Sequence, residues 1–295
     1  MTATALLLVL GSAVLHAGWS AVIKSSRDPL CFNLLQLATQ AVILAAILPW
    51  LDLARVPSSA WRFLAATSIA HAGYFYWMSR AYEHGDLTLV YPIARSTPAF
   101  LPVLAVLLLG DSISPAGAAG IAVVVGGMWL VQIGTDGLRW RSLAASGTRY
   151  AYLTLAATVA YSLCDKGAMT VLSQAPWTSP VPRSVFYCLT ISCTSAVAFA
   201  PLAIRRRTAR TILALVRMEG ARAAAASVAS LIGYSLTLEA LRWAPVSYVV
   251  AVRQTSVLFA LLLGVLWLGE RPERPRLLGA CATVLGVMLI ALAGE

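Results

Sequence analysis

The chain has 295 residues, of which 59% are hydrophobic and 12% charged, and a formal net charge of +10; its mean hydropathy is +0.78. Length alone would allow one or two soluble domains, but soluble domains carry about one quarter charged residues, so that class is excluded. The positive charge does not indicate nucleic acid, because it is spread between apolar runs along the whole chain.

Ten apolar runs cover 3–23, 30–50, 61–83, 87–109, 115–134, 149–172, 182–204, 221–242, 246–268 and 274–293. About twenty such residues cross a hydrocarbon layer of roughly 30 Å as a helix. Backbone groups must pair internally in lipid, which leaves helices or a closed barrel. Barrel strands would be about ten residues long and alternating, so the expected fold is all-α, polytopic, with ten transmembrane helices. The connections are short, and the longest fall near 135–148 and 205–220. The first run lacks the basic start of a secretory signal, since Met1 to Ser12 carries no charged side chain, and it continues through His16 and Trp19 to Lys24. It reads as a retained helix.

The polar residues inside these runs are the candidates for function. In the first run Ser12, His16, Ser20 and Lys24 recur every four residues beside Trp19, one slowly drifting stripe that faces either a wet cavity or a hydrogen-bonded neighbour. The third run has His71, Tyr74, Met78 and Tyr82 on one face. The fourth holds Tyr91-Pro92-Ile93-Ala94-Arg95-Ser96-Thr97-Pro98, with Pro102 beyond. Proline removes an amide donor and clashes with the preceding turn, so Pro92 and Pro98 mark a kink or gate, and Arg95 sits roughly 12 Å deep at the standard rise. An arginine there costs about 2.5–3.5 kcal/mol unless it is paired or hydrated. The sixth run carries Tyr161, Ser162, Asp165 and Lys166; the eighth Ser227, Ser230, Tyr234 and Thr237; the ninth Arg253-Gln254-Thr255-Ser256 without internal prolines. No deep acid stands in an evident proton relay.

Arg80–Glu83 and Glu239–Arg242 read as local pairs at helix ends, worth about 0.2–0.5 kcal/mol in isolated helices. Ala118, Ala122 and Gly126, with Gly279 and Thr283, make small-residue stripes suited to close helix contact. The five cysteines, Cys31, Cys164, Cys188, Cys193 and Cys281, all fall in apolar runs without Cys-x-x-Cys spacing. They read as small apolar groups, with neither a disulfide framework nor a metal site; no cofactor is expected.

The second half of the chain echoes the first. Leu109-Gly110-Asp111 precedes Gly120 and Gly126-Gly127, as Leu268-Gly269-Glu270 precedes Gly279 and Gly286, at an offset of 159 residues; near Gly73-Tyr74 and Gly233-Tyr234 the offset is 160. Each half holds five runs. An odd number of crossings inserts the second half upside down, so the expectation is two inverted five-helix repeats, 1–140 and 141–295, around a central cavity. Transporters built this way place the substrate between repeats near the midplane. Under the repeat Tyr74 matches Tyr234, and Arg95 and Arg253 approach the midplane from opposite sides. Two guanidinium groups there would suit a carboxylate.

The segments Leu15-His16-Ala17-Gly18-Trp19-Ser20, Ala81 to Pro92 and Leu268-Gly269-Glu270, in that order within a duplicated five-helix pattern, resemble the drug/metabolite transporter superfamily and its EamA-type ten-helix members. The resemblance covers nearly the whole chain. It implies a basket-shaped bundle that exports amino acids or other small metabolites across a plasma membrane, in bacteria the inner one. It also implies a cavity lined by helices 1, 3, 4, 6, 8 and 9, with 2, 5, 7 and 10 as scaffold. The substrate-contacting set expected from these readings is His16, Trp19, Tyr74, Tyr91, Arg95, Tyr161, Lys166, Tyr234, Arg253 and Gln254, for a zwitterionic or anionic small molecule moved by alternating access.

Of the 22 Lys and Arg, fifteen lie at odd-numbered connections and four at even ones. The positive-inside rule then places odd connections in the cytoplasm, against anionic lipid headgroups, and both termini outside. Relatives are expected to hold their termini inside, so on this point the chain departs from the resemblance. The competing class is an intramembrane enzyme acting on lipid or isoprenoid groups. His-Glu-x-x-His, Gly-x-Ser-x-Gly and phosphate-loop patterns are all missing from the sequence, so non-enzymatic transport is the leading reading.

Overall fold

The computed structural model describes residues 1–84, 87–133, 148–205, 207–268 and 272–293. The 140/141 repeat boundary, Gly269-Glu270 and Arg206 lie outside the described residues, as do the side chains of Lys24, Glu83 and Tyr91. Twelve α-helices are described: α1 (Ala3–Lys24), α2 (Pro29–Ile47), α3 (Ser58–His84), α4 (Leu87–Ala94), α5 (Thr97–Leu109), α6 (Pro115–Ile133), α7 (Arg149–Gln174), α8 (Arg183–Ile204), α9 (Ala209–Ala240), α10 (Val246–Arg253), α11 (Ser256–Leu268) and α12 (Arg274–Leu292). Two short 3₁₀ turns, Leu48–Trp50 and Leu53–Arg55, follow α2.

Every expected span is present, and two of them are broken. The fourth divides into α4 and α5, and the ninth into α10 and α11. The two breaks are repeat equivalents at the 159-residue offset. Pro92 and Pro98 account for the first break. The second has no proline and closes instead through short-range bonds: Thr255 N–H and Oγ1 both donate to the Val252 carbonyl, at 3.0 and 2.8 Å. The eighth span is longer than expected. α9 begins at Ala209, so 209–220, part of the expected connection 205–220, is helical, with Thr208 capping it through Thr211 N.

Among the described residues eight segments are long and apolar enough to cross a membrane. The remaining pair, α3 and α7, have 27 and 26 residues, ample length for a crossing. Their polar side chains lower their hydropathy, and they pack on one another. The outer surface is apolar, with Leu7, Ile69, Leu107 and Val197 exposed, as lipid contact requires.

The main helix packings map onto one another when the halves are exchanged. α6 lies on α12 and α2 on α8; α3 lies on α7 as α9 lies on α1; α3 meets α8 as α9 meets α2. At the α6–α12 crossing the backbones touch through glycines: Gly120 against Gly286, Gly127 against Gly279. Numbers rise along one helix as they fall along the other, so equivalent helices run antiparallel. That is an inverted repeat. The small residues at this crossing are Gly120 and Gly127 rather than the expected Gly126, which faces open space.

Successive crossings alternate, so the N-terminus shares a face with the α2–α3, α5–α6, α7–α8 and α9–α10 connections. On the opposite face Asp28 caps α2 through Cys31 N at 3.1 Å and pairs with Arg207 Nε at 2.5 Å, tying the first repeat to the second. Burial raises the Asp28 pKa, but hydrogen bonds from Arg207 and the Cys31 amide outweigh it and hold the carboxyl below its ordinary range. A carboxyl depressed in the folded state contributes stability that is full above its unfolded pKa and is lost as pH falls through the folded value. Thermal midpoints in detergent should therefore drop below about pH 4, and Asp28→Asn should shrink that drop while costing up to about 1 kcal/mol at neutral pH. An identical acid profile in the variant would remove the pair from the account.

Candidate functional site

The largest apolar cluster draws mostly on helix ends at the N-terminal face: Val9, Leu64, Leu101, Phe186, Tyr187, Leu238 and Val249 among others. Smaller separate clusters, around Phe199 and around Phe32, lie nearer the opposite face. Between them is a cavity of about 150 Å³, closed toward the N-terminal face and walled by the middle and opposite-face portions of the helices.

Both helix breaks meet at this cavity. Arg95 follows α4, and its guanidinium reaches Ser256 Oγ at 2.9 Å and His16 Nε2 at 3.1 Å. Ser256 opens α11, so one arginine of the first break is bonded to the second. The break is held from α6, where Trp129 Nε1 donates to Ser96 Oγ (2.9 Å), which donates to the Pro92 carbonyl (2.7 Å). Under the offset Arg95 corresponds to Gln254 rather than to Arg253. Gln254 occupies the second break, and Arg253 ends α10 one residue earlier, facing the Tyr234 ring at 5.3 Å. Its Nε has no hydrogen-bond partner among the described residues.

Of the expected site residues, His16, Trp19, Tyr74, Arg95, Tyr161, Tyr234, Arg253 and Gln254 come together on the cavity wall. Tyr161 stacks on His71 at 4.1 Å, with Tyr234 edge-on to the same ring at 5.6 Å and Tyr74 edge-on to Tyr161 at 5.8 Å. His71 is held by the Thr67 carbonyl at 3.0 Å through Nδ1, which assigns the proton to Nδ1 and leaves Nε2 as the acceptor. Pro92 is buried in the kink and Pro98 opens α5; the side chain of Tyr91 lies outside the described residues. Lys166 stands apart from the rest. Its ammonium caps the end of α9, donating to the carbonyls of Leu241 (2.7 Å) and Ala244 (2.9 Å), because adjacent residues on α7 point about 100° apart.

Two groups of residues enlarge the site. α2 supplies Asn33, Gln36 and Gln40 and α8 supplies Ser192 and Ser195; helices 2 and 7 of the ten are therefore cavity walls, which corrects the scaffold role expected for them. Trp19 Nε1 donates to Gln36 Oε1 at 2.6 Å, and Gln36 Nε2 to Asn33 at 3.1 Å. Such amides have ordinary packing roles in lipid, so their type alone carried no signal. The second is Asp165, 1% exposed on α7 behind the cavity wall. It accepts hydrogen bonds from Thr67 Oγ1 (2.7 Å), Tyr187 (3.1 Å) and Tyr234. Ser12, from the predicted α1 stripe, bonds Thr237 at 2.7 Å, the interhelical role rather than the wet one.

Chemically, the wall presents forked donors for an anionic group, aromatic faces for an apolar or cationic body, and side-chain amides for polar substituents. The architecture and the cavity define a class: polytopic helical membrane proteins in which inverted repeats enclose a polar chamber. The chain belongs to the EamA-like transporter family, whose pattern matches residues 3–133 and 150–292. It is accordingly a multi-pass membrane transporter for a small-molecule solute. No curated protein matches its sequence. A protein of known crystal structure is similar over 100% of both chains, with a TM-score of 0.77 at 15% identity; that likeness concerns the fold.

Proposed function

We propose that the protein exports a small zwitterionic or anionic metabolite of the amino-acid class by alternating access around the central cavity. The observation that carries this reading is the meeting of Arg95 and Arg253 at two repeat-related helix breaks, with an aromatic wall between and behind them. The solute's carboxylate engages the guanidinium groups, and Trp19, Tyr74, Tyr161 and Tyr234 pack its body. Closure on the N-terminal face by the main apolar cluster defines one end state. The exchange symmetry of the packing supplies the other, in which the second repeat adopts the present arrangement of the first. The charge count supports odd connections in the cytoplasm and termini outside, so the present state faces inward in a bacterial inner membrane.

Counterflow in proteoliposomes of the purified protein, with an equimolar mixture of labelled proteinogenic amino acids and no pH gradient, tests the reading. Accumulation against preloaded unlabelled mixture is expected. Labels that equilibrate only at the rate of protein-free vesicles would reject it.

A further inference from the structure

We propose that Asp165 is the proton-binding site of this transporter, and that its protonation and the capture of a solute carboxylate by Arg253 favour one another. The inference deepens the anion-transport reading above.

Asp165 is a carboxyl in the membrane interior that accepts three hydroxyl hydrogen bonds: from Thr67 in the first repeat and from Tyr187 and Tyr234 in the second. Among the described residues no Lys or Arg lies within ion-pair distance of it. A buried charge without a close partner is costly, and protonation removes that cost. The groups facing it can be named element by element. From α3 come Thr67 and, behind it, His71; from α8 Tyr187 and Cys188; from α9 Tyr234; from α10 Arg253; from its own helix Tyr161, Cys164 and Lys166, whose ammonium is turned to the α9 end. Arg253 is thus the cation that looks toward Asp165 across the cavity wall, one tyrosine ring away.

Tyr234 joins the two sites. It lines the cavity, its ring receives Arg253, and its hydroxyl donates to Asp165 Oδ2. A proton arriving from cavity water on the Tyr234 oxygen releases the hydroxyl's own proton to Oδ2. Tyr234 ends with the number of protons it began with, and Asp165 becomes a neutral acid. When a solute carboxylate pairs with Arg253, the cationic field that supports ionised Asp165 is cancelled, so proton uptake is favoured. Linkage makes the effect reciprocal: a protonated Asp165 frees Arg253 for the anion. A monoanion and a proton then cross together without net charge, and export runs down the solute's own gradient. Tyr187 belongs to the apolar cluster that closes the N-terminal face, which places the protonated group in contact with the closed end.

Infrared titration of the purified protein tests the site without any solute. A carbonyl band of a protonated carboxyl is expected in the wild type, absent in Asp165→Asn, and persisting to pH higher by about one unit or more in Arg253→Gln. A band unchanged in Arg253→Gln, or a carboxyl that stays ionised from about pH 4 to 9, overturns the proposal. In vesicles carrying an internal pH dye, an outward gradient of the same amino-acid mixture should move protons outward with the wild type. Asp165→Asn with a wild-type thermal midpoint should lose the proton movement; intact proton movement in that variant also overturns it. Failure of counterflow rejects the transport reading alone, because the infrared titration stands without it.

Discussion

Replacing Arg253 with alanine is expected to weaken binding of an anionic solute by about 10- to 100-fold, with the protein still folded. A charge-assisted hydrogen bond contributes about 1.5–3 kcal/mol, and each 1.4 kcal/mol is tenfold in affinity. Arg253 Nε has no partner among the described residues, so the side chain keeps a donor for the solute. Arg95→Ala should cost at least as much, because its guanidinium also bonds Ser256 and His16. The two variants separate by mechanism. Arg253→Ala should raise the solute concentration for half-maximal counterflow and leave the limiting rate near normal, since it removes a binding contact. Arg95→Ala should lower the limiting rate as well, since it unties the first helix break from the second. Arg95→Lys should not restore the rate, because a point-charge ammonium cannot hold Ser256 and His16 in a planar fork. Unchanged flux in both alanine variants, with normal thermal midpoints, would end the anion-recognition hypothesis.

The spans were legible because lipid imposes one simple demand, a continuous apolar stretch of sufficient length. The first helix break was legible in Pro92 and Pro98. The second was not, because the backbone turns there through Thr255 bonding its own Val252 carbonyl, and threonine ordinarily sits in intact helices. The 159-residue offset carried through Arg95 lands on Gln254, one residue past the more conspicuous Arg253. The start of α9 at Ala209 is hidden by the charge pattern. Glu219 is 4% exposed and accepts the Arg27 backbone N–H at 3.1 Å, so one charge of 209–220 serves a tertiary contact on a helix that the charge pattern alone makes look like a connection. Asp165 was visible as a residue, yet its environment was not. Thr67 lies 98 positions away and Tyr234 lies 69 away, and only the packing of α3 and α9 on either side of α7 brings their hydroxyls together. Lys166 illustrates the reverse. Its charge suggested a ligand, while its position on the helix turned it to two free carbonyls at the end of α9.

Alanine at Gly127 or Gly279 is expected to produce a large loss of stability. A Cβ at Gly127 would stand 2.6 Å from Thr283 N and 2.7 Å from the Gly279 carbonyl, and a Cβ at Gly279 would stand 2.6 Å from both the Gly127 carbonyl and Val131 N. These neighbours are backbone, so relief requires the two helices to separate. Overpacking costs about 1–3 kcal/mol where side chains can yield, and here they cannot, so the upper end or more is expected, read as a fall in the thermal midpoint in detergent. Gly126→Ala is the internal control. A Cβ there meets nothing within 4 Å, and alanine is the better helix former, so its midpoint should hold or rise slightly. The double variant Gly127→Ala/Gly279→Ala should cost less than the sum of its parts, since either methyl alone already forces the same backbones apart. Gly120 and Gly286, the repeat equivalents of Gly279 and Gly127, press on one another in the same way, with a Cβ 2.8 and 2.7 Å from the facing carbonyl. A pair of contacts that maps onto itself when the halves are exchanged is what antiparallel equivalent helices produce. If Gly126→Ala proves as damaging as Gly127→Ala, the crossing uses another face of α6, and the geometric basis for two inverted halves is lost with it.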